Sequence, residues 1–402
     1  MPGTVLHVLS QRPGRTGSGT TLDALVREAA NAGWDQHVVV GVPRDESPSV
    51  GGLDPAKLHP LRFGEPPLDF AVPGMSDLMP YPSTRFSSMD ETRVQRYRDS
   101  WREHLRSVIR MTQPTVIHSH HIWLVSALVK DVAPDVPVVT HCHGTGLRQA
   151  VLCPHLAPVV RRGCARNESF AVLHTDHAER VAEMVGVERA RVHVVGAGFR
   201  EDLFHAQGRQ PATPPRVLYA GKLSRAKGFG PLLDAWERTA SDHPGAELHI
   251  AGGGDGEESD RYRARLAALG PNVHHHGALT PEQLADLMRT CSVCVLPSYF
   301  EGLPLVLVEA LACGCRVVAT DLPGVRDAIA PHVGALLERV ALPRLATVDT
   351  PMEDDLPRFV EALAAALDRA LESPAVTADA DRTSPFTWRS VFERIQPLWE
   401  GR

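Results

Sequence analysis

Four residues in the second half of the chain have types and spacings that could do chemistry: Lys222, Lys227, Glu301 and Glu309. The chain has 42 basic residues, yet only four are lysines (Lys57, Lys130, Lys222 and Lys227), so two of the four fall within the short stretch GKLSRAKG. Lysine serves a phosphate as a compact point charge, where arginine would form a planar fork. A pair of ammonium groups just after a strand is therefore suited to a diphosphate. A solvated loop is the plainer alternative. Glu301 and Glu309 sit in PSYFEGLPLVLVEALACG. Carboxylates accept hydrogen bonds from paired hydroxyls. Glu309 lies among Leu305, Val306, Leu307, Val308, Ala310 and Leu311, so it is expected to be buried, and a buried carboxylate needs a partner. Between the two glutamates a helix is expected to start at Pro304, where no N–H is required, and end near Gly314. The free amides and dipole of a helix start attract phosphate. Two carboxylates around an anion-binding helix start suit a ligand with hydroxyls on both sides of a phosphate, such as a nucleotide sugar.

The elements that must position these residues follow from the alternation of apolar strands and amphipathic helices. The first half reads as strand Val5–Ser10, a glycine-rich loop Arg12–Gly19, helix 21–32 and strand His37–Val40, then further strands at 116–118, 136–140, 171–174 and 192–195 with helices between them. The loop RPGRTGSG, with Gly17 and Gly19, could bring backbone close to a diphosphate, or be a simple flexible turn. Residues 60–90 show no clear period and are expected to be disordered or a functional loop. Within them, Val72–Ser83 is the best candidate for an acceptor-side lid, with a plain surface loop as the alternative. A helix from Glu91 carries Val94, Tyr97, Trp101, Leu105 and Val108 on one stripe. Its arginines raise the option of contact with anionic lipid, but the narrow aromatic stripe favours a core-facing helix. The polar, Pro-rich stretch His205–Pro215 reads as a linker. The alternation then restarts, with strands at 217–220, 247–251, 273–276, 293–296 and 316–320. The fold class is α/β, with two Rossmann-like doubly wound domains. The boundaries are placed at 1–207 and 208–384, with a C-terminal helix over 385–402 that crosses back to the first domain. In such sheets ligands bind at the carboxyl ends of the strands, and two such domains face each other across a cleft.

Composition narrows the classes. The chain has 402 residues with a formal net charge of −6 and 43% hydrophobic residues, which gives no basic footprint for nucleic acid. No apolar run is long enough to span a membrane, and the N-terminus does not resemble a signal peptide. Seven cysteines, an odd number, point to free thiols in a reducing cytoplasm. Cys291 and Cys294 form a lone CxxC that runs into a buried strand, and they read as small core residues. Ala251–Gly256 (AGGGDG) resembles a dinucleotide turn, but no acidic residue follows at the right distance, so NAD is not expected. Twenty histidines crowd the strand ends at His118, His120, His121, His141, His143 and 274–276. They are expected to line or underlie the site, and no metal site is expected.

The chain resembles the retaining GT-B glycosyltransferases of family 4, the group 1 transferases. GKLSRAKG is similar to that family's G-R-L-x-x-x-K-G element, and the segment from Pro297 to Gly324 to its E-x7-E signature and the turn beyond. TVIHSHHIW, VVTHCHG and VVGAGFREDLF match its first-domain strand ends and crossover more loosely. The resemblance implies that Lys222 and Lys227 neutralise a donor diphosphate, Glu309 holds ribose hydroxyls and Glu301 contacts the donor sugar. Gly302, Leu303, Pro304 and Leu305 support sugar and phosphate at the helix start, and His143 sits beside the reacting carbon. Gly17 or Gly19 approaches the diphosphate, and Asn272–Leu279 lies beside the nucleobase. Lys222 stands where the family usually has Arg, and the family's VPNG loop reads Val195-Gly196-Ala197-Gly198 here. The implied reaction transfers a sugar with retention, needs no cofactor and no Mg2+, and uses a nucleotide-diphosphate sugar as co-substrate, UDP or GDP being favoured. The expected partners are that donor and a small soluble acceptor, with peripheral membrane contact and a lipid acceptor as the alternative; the oligomeric state stays open. A nucleotide-sugar 2-epimerase and a catalytically silent scaffold are the rival readings.

Overall fold

The computed structural model describes residues 3–14, 16–76, 79–374 and 379–402. The chain forms two compact units, Met1–Ala197 together with Trp388–Arg402, and Gly198–Thr387. In the first, the order is β1 (Thr4–Leu9), α1 (Gly17–Asn31), β2 (Asp35–Pro43), β3 (Leu58–Phe63), the short β4 (Pro73–Gly74) and β5 (Thr84–Arg85), α2 (Glu91–Thr112), β6 (Val116–His120), α3 (Val129–Val132), β7 (Val138–His141), α4 (Thr145–Leu152), α5 (Ala157–Cys164), β8 (Ser169–Val172), α6 (Thr175–Val185) and β9 (Val192–Val194). The second runs through β10 (Arg216–Ala220), α7 (Phe229–Asp242), β11 (Glu247–Ala251), α8 (Glu257–Ala268), β12 (Val273–Gly277), α9 (Pro281–Thr290), β13 (Val293–Leu296), α10 (Leu305–Ala312), β14 (Arg316–Thr320), α11 (Ala330–Val333), β15 (Leu337–Val340), α12 (Leu356–Glu372) and α13 (Ala380–Thr383). The final helix, α14 (Trp388–Trp399), belongs to the first unit.

Each unit holds one large parallel sheet. The first has strand order β3-β2-β1-β6-β7-β8-β9 and the second β12-β11-β10-β13-β14-β15. The central strands of both sheets are buried on two faces, which is why β1, β10, β13 and β14 are rich in Val and Leu rather than alternating. In β1, Leu6 and Val8 pack with α2 on one side, while Val5 packs with α1 and α14 on the other. In β10, Val217 and Tyr219 face α7 and α12, whereas Leu218 and Ala220 face α9 and α10. The helices carry local signals that match their ends. Thr280 and Gln283 form a reciprocal capping box at α9, with Pro281 in its first turn. Asp90 caps α2, whose Val94, Tyr97, Trp101, Leu105 and Val108 are all buried.

Several expectations change. The units switch at 197/198, ten residues before the expected 207/208, and at 387/388, three residues after the expected 384/385. Phe199 and Phe204 are buried in the second unit's core, and the 205–215 stretch is strapped to α9 by Gln210 N to Arg289 O (3.2 Å) and Ala212 N to Thr290 O (2.9 Å). Its composition resembles a linker, but two aromatic anchors place it in the unit. The described residues of the 60–90 stretch are anchored by burial of Phe63, Leu68, Phe70, Val72, Met75, Tyr81 and Phe86. Met75 and Tyr81 in the lid candidate are therefore packed, and its Asp77 and Leu78 lie outside the described residues. The pattern of β15 and α12 went unread, although Phe359, Leu363 and Leu367 recur at helical spacing and are buried. Among the described residues no helix is long and apolar enough to cross a membrane.

Candidate functional site

The strand order of the second sheet reverses between β10 and β13, which are direct parallel neighbours. A reversal of this kind leaves a crevice beyond the carboxyl ends of the two strands. The loop after β10 carries Lys222 and Lys227, and the loop after β13 carries Glu301. Lys227 Nζ lies 2.5 Å from Glu301 Oε1, and both side chains are partly buried. Lys222 is exposed and has no ion pair among the described residues. The two loops lock together through backbone. Tyr299 N donates to Ala226 O (3.1 Å), and Gly228 takes φ of +64°, where an added Cβ would sit 2.0 Å from Pro297 O. Only glycine meets both demands.

The Lys222 loop is held from below. Tyr219 Oη donates to Lys222 O (2.6 Å), and Ser259 Oγ donates to Leu223 O (3.1 Å). Glu258 Oε1 accepts from Arg225 N (2.9 Å). Sequence reasoning missed Tyr219, Glu258 and Ser259, because a strand tyrosine and the polar residues of a helix's first turn give no separate signal. Gly252 and Gly254 of AGGGDG serve this same packing: an added Cβ would lie 2.0 Å from Gly221 O at the first and 2.3 Å from Ser259 Oγ at the second.

Helix α10 begins at Leu305, and Pro304 is the non-helical cap residue that precedes it, not its first helical residue. The amide of Leu305 donates to Leu303 O (3.0 Å). That amide is thus engaged within the chain. The amides of Gly302 and Leu303 donate no hydrogen bond among the described residues. Glu309 lies on α10 between the buried Val308 and Ala310. Burial pushes its carboxyl up from 4.5 to about 7, and no hydrogen bond or ion pair holds the carboxylate among the described residues.

In the first sheet the order reverses between β1 and β6. Gly17 and Gly19 are not in a loop but in the first turn of α1, where Thr16 Oγ1 accepts from Gly19 N (3.3 Å). An added Cβ on Gly19 would lie 2.6 Å from Gly14 N, whereas Gly17 has nothing within 4 Å. Gly19 is therefore required by its own loop, and Gly17 leaves open space. Arg15 of this loop lies outside the described residues.

His143 follows β7. Its Nε2 is 3.0 Å from His120 Nδ1, and its ring stacks on His141 at 4.6 Å and 7°. Burial holds its imidazole well below the usual range, with further lowering from His141 and His121, so the ring is neutral at neutral pH. Beneath it, Trp399 Nε1 donates to His118 Nδ1 (2.8 Å). A neutral His118 then carries its proton on Nε2, which faces His141 Nδ1 at 3.3 Å. The His118, His120 and His141 nitrogens are close enough for a metal. The Trp399 contact instead commits His118 to a hydrogen-bonded chain, and the group has no anionic ligand. All seven cysteines are free and buried, and burial raises the Cys291 and Cys294 thiols.

Residues 200–343 match the family described as glycosyl transferases group 1, and residues 16–198 match a glycosyl transferase 4-like domain. D-inositol 3-phosphate glycosyltransferase 1 of Catenulispora acidiphila is 30% identical over 320 residues, covering 71% of this chain and 72% of its own length. The glycogen synthase of Mycobacterium tuberculosis H37Rv is 27% identical over 297 residues, 70% of this chain and 67% of its own. Among solved structures, sucrose-phosphate synthase from Thermosynechococcus elongatus superposes with a TM-score of 0.66 at 18% identity, covering 99% of this chain and 98% of that one. Anabaena HepE in complex with UDP and glucose gives 0.62 at 16% identity, with 100% of both chains covered.

Proposed function

The chain belongs to the group 1 glycosyltransferases of family 4, with the GT-B fold of two Rossmann-like units, and on that premise we propose that it is a retaining enzyme that moves a sugar from a nucleotide-diphosphate sugar to a small soluble acceptor without a metal ion. The observation that carries this reading is the Lys227–Glu301 pair at the β10/β13 reversal, with Lys222 in the same loop and without an ion pair among the described residues. Without donor, Lys227 and Glu301 satisfy each other. A donor offers each a better partner: the diphosphate takes Lys227, and the sugar hydroxyls take Glu301. Lys222 adds a second positive charge to the diphosphate, and the free amides of Gly302 and Leu303 add donors at the start of α10. Glu309 accepts the two ribose hydroxyls. Gly17 gives the diphosphate room for close approach, and the neutral His143 accompanies the reacting carbon.

In the proposed step the bond from the anomeric carbon to the diphosphate oxygen breaks while the bond to the acceptor oxygen forms on the same face. The acceptor proton passes to the departing phosphate. Charge then accumulates on the diphosphate, and Lys222, Lys227 and the amides stabilise it more in the transition state than in the ground state. That charge is the one a divalent ion would otherwise neutralise. Relatives named for D-inositol 3-phosphate support the small-acceptor half of the reading, and a cytoplasmic setting accords with seven reduced thiols.

The test combines binding and turnover. A charge-assisted hydrogen bond contributes about 1.5–3 kcal/mol, so Lys227→Ala and Glu309→Ala should each weaken donor affinity or kcat/KM by at least about tenfold, with the circular dichroism spectrum unchanged. Near wild-type activity in either variant would overturn the site. A panel of UDP-, GDP-, ADP- and dTDP-sugars read by thermal shift identifies the donor. The anomeric proton of the product, read by NMR, decides retention, and turnover that survives EDTA supports metal independence. A product formed only on a glucan or a lipid would replace the small acceptor.

A further inference from the structure

A second chemistry-bearing cluster lies away from the β10/β13 loops, on the edge of the second sheet. β11 and the edge strand β12 run parallel, with His249 opposite His274. Alternate residues of a strand share a face, so Glu247 and His249 on β11 and His274 and His276 on β12 form a polar patch. Glu247 Oε2 is 3.0 Å from His249 Nε2 and 2.8 Å from Arg216 Nε. Glu247 Oε1 faces His274 Nε2 at 3.9 Å, too far for a hydrogen bond. One donor atom from each of Glu247, His249 and His274 lies within 4.8 Å of the other two.

We propose that this patch binds one divalent transition-metal ion of the zinc class through Glu247, His249 Nε2 and His274 Nε2. Ligand atoms at about 2.0–2.1 Å from a tetrahedral zinc stand about 3.4 Å apart, between the 3.0 and 3.9 Å separations present. Small side-chain rotations bring the three together. The outer contacts are in place. His249 Nδ1 is 2.9 Å from His276 Nε2, so when His249 Nε2 binds the ion its proton moves to Nδ1 and is donated to His276, whose own proton shifts to its exposed Nδ1. No net proton is lost, and a ligating imidazole gains the hydrogen-bond acceptor such ligands normally have. Arg216 stays on Glu247 Oε2 and orients the carboxylate. The His274 side chain is 41% exposed, which supplies an entry path and a fourth position for water. The buried His118, His120 and His141 group has neither. The bound ion would clasp the edge strand β12 to β11 and stabilise the unit.

The site does not depend on the proposed reaction, and its test reads no activity. The full chain, stripped with EDTA and dialysed, is titrated with Zn2+ by calorimetry, and with Co2+ while its visible absorption is followed. One equivalent should bind at about micromolar Kd, raise the thermal midpoint, and give a cobalt band of a nitrogen- and oxygen-ligated ion. The exposed His274→Ala and the isosteric Glu247→Gln should each weaken binding at least about tenfold while the metal-free proteins unfold like the parent. No binding below about 1 mM would overturn the proposal. So would binding that both variants leave unchanged, which would send the ion to another histidine group.

Discussion

Glu309 is a carboxyl held close to neutral pH by its surroundings. Its folded value of about 7 lies above the ordinary 4.5, through burial. The folded state therefore binds this proton more tightly than the unfolded chain. The stability this contributes is fully present below about pH 4.5 and is lost as pH rises through about 7. At about 1.36 kcal/mol per pH unit, the ionised carboxylate costs roughly 3 kcal/mol in the ligand-free protein. Glu309→Gln should remove this slope: between pH 5 and 8 the parent's unfolding free energy should fall relative to the variant's, as read by denaturant titration at a series of pH values. Parallel pH profiles would show that the carboxyl does not titrate there. In the proposed donor complex, ribose hydroxyls donating to Glu309 would favour its ionised form. Donor binding near pH 6 should accordingly release a proton, and calorimetry in buffers of different ionisation enthalpy measures it. Lys227 and Glu301 are each other's ion-pair partner. Removing only one leaves a partly buried charge without its counter-ion.

At the scale of elements, the site depends on two loops that interlock through Gly228. Its φ of +64° and the 2.0 Å approach to Pro297 O leave no space for a side chain. Gly228→Ala should cost about 1–3 kcal/mol from strained backbone alone, and more if the β13 loop shifts. Since that loop carries Glu301, the variant should lower both the thermal midpoint and donor affinity. A variant that loses stability but keeps full donor affinity would separate the turn from the site. The start of α10 shows the limit of reading helix ends from Pro alone: proline at the first helical position is common, yet here Pro304 is the non-helical cap and Leu305 opens the helix.

At the scale of the molecule, the chain's last helix completes the first unit. Trp388, Val391, Phe392, Ile395 and Trp399 of α14 are buried against β1, β6 and α1 residues such as Val5, Leu25 and Val116. Burying a large apolar side chain contributes about 1.5–3 kcal/mol, and a whole domain is stable by only about 5–15 kcal/mol. Truncation after Thr387 should therefore abolish cooperative unfolding of the first unit and open it to limited proteolysis. An unchanged calorimetric transition would contradict this. Trp399→Phe is milder: it keeps most of the packing but removes the N–H bonded to His118, and should cost about 1 kcal/mol.

Sequence alone determined the α/β class, most strands and the family resemblance, and it singled out Lys222, Lys227, Glu301 and Glu309 as candidates. Those features are local: buried parallel strands are continuous apolar runs, and two lysines in one short loop and a glutamate within an apolar helix are residue types out of keeping with their surroundings. The tertiary structure decided what local pattern does not encode. It put β10 beside β13, so that residues 74 positions apart form an ion pair. It distinguished Gly17, with open space, from Gly19, closed by Gly14. It drew the 205–215 stretch into the second unit through Phe199 and Phe204, and set Glu247 against the histidines of the neighbouring strand. Strand order and register come from how apolar faces are shared among distant elements, and that sharing sets which polar side chains meet.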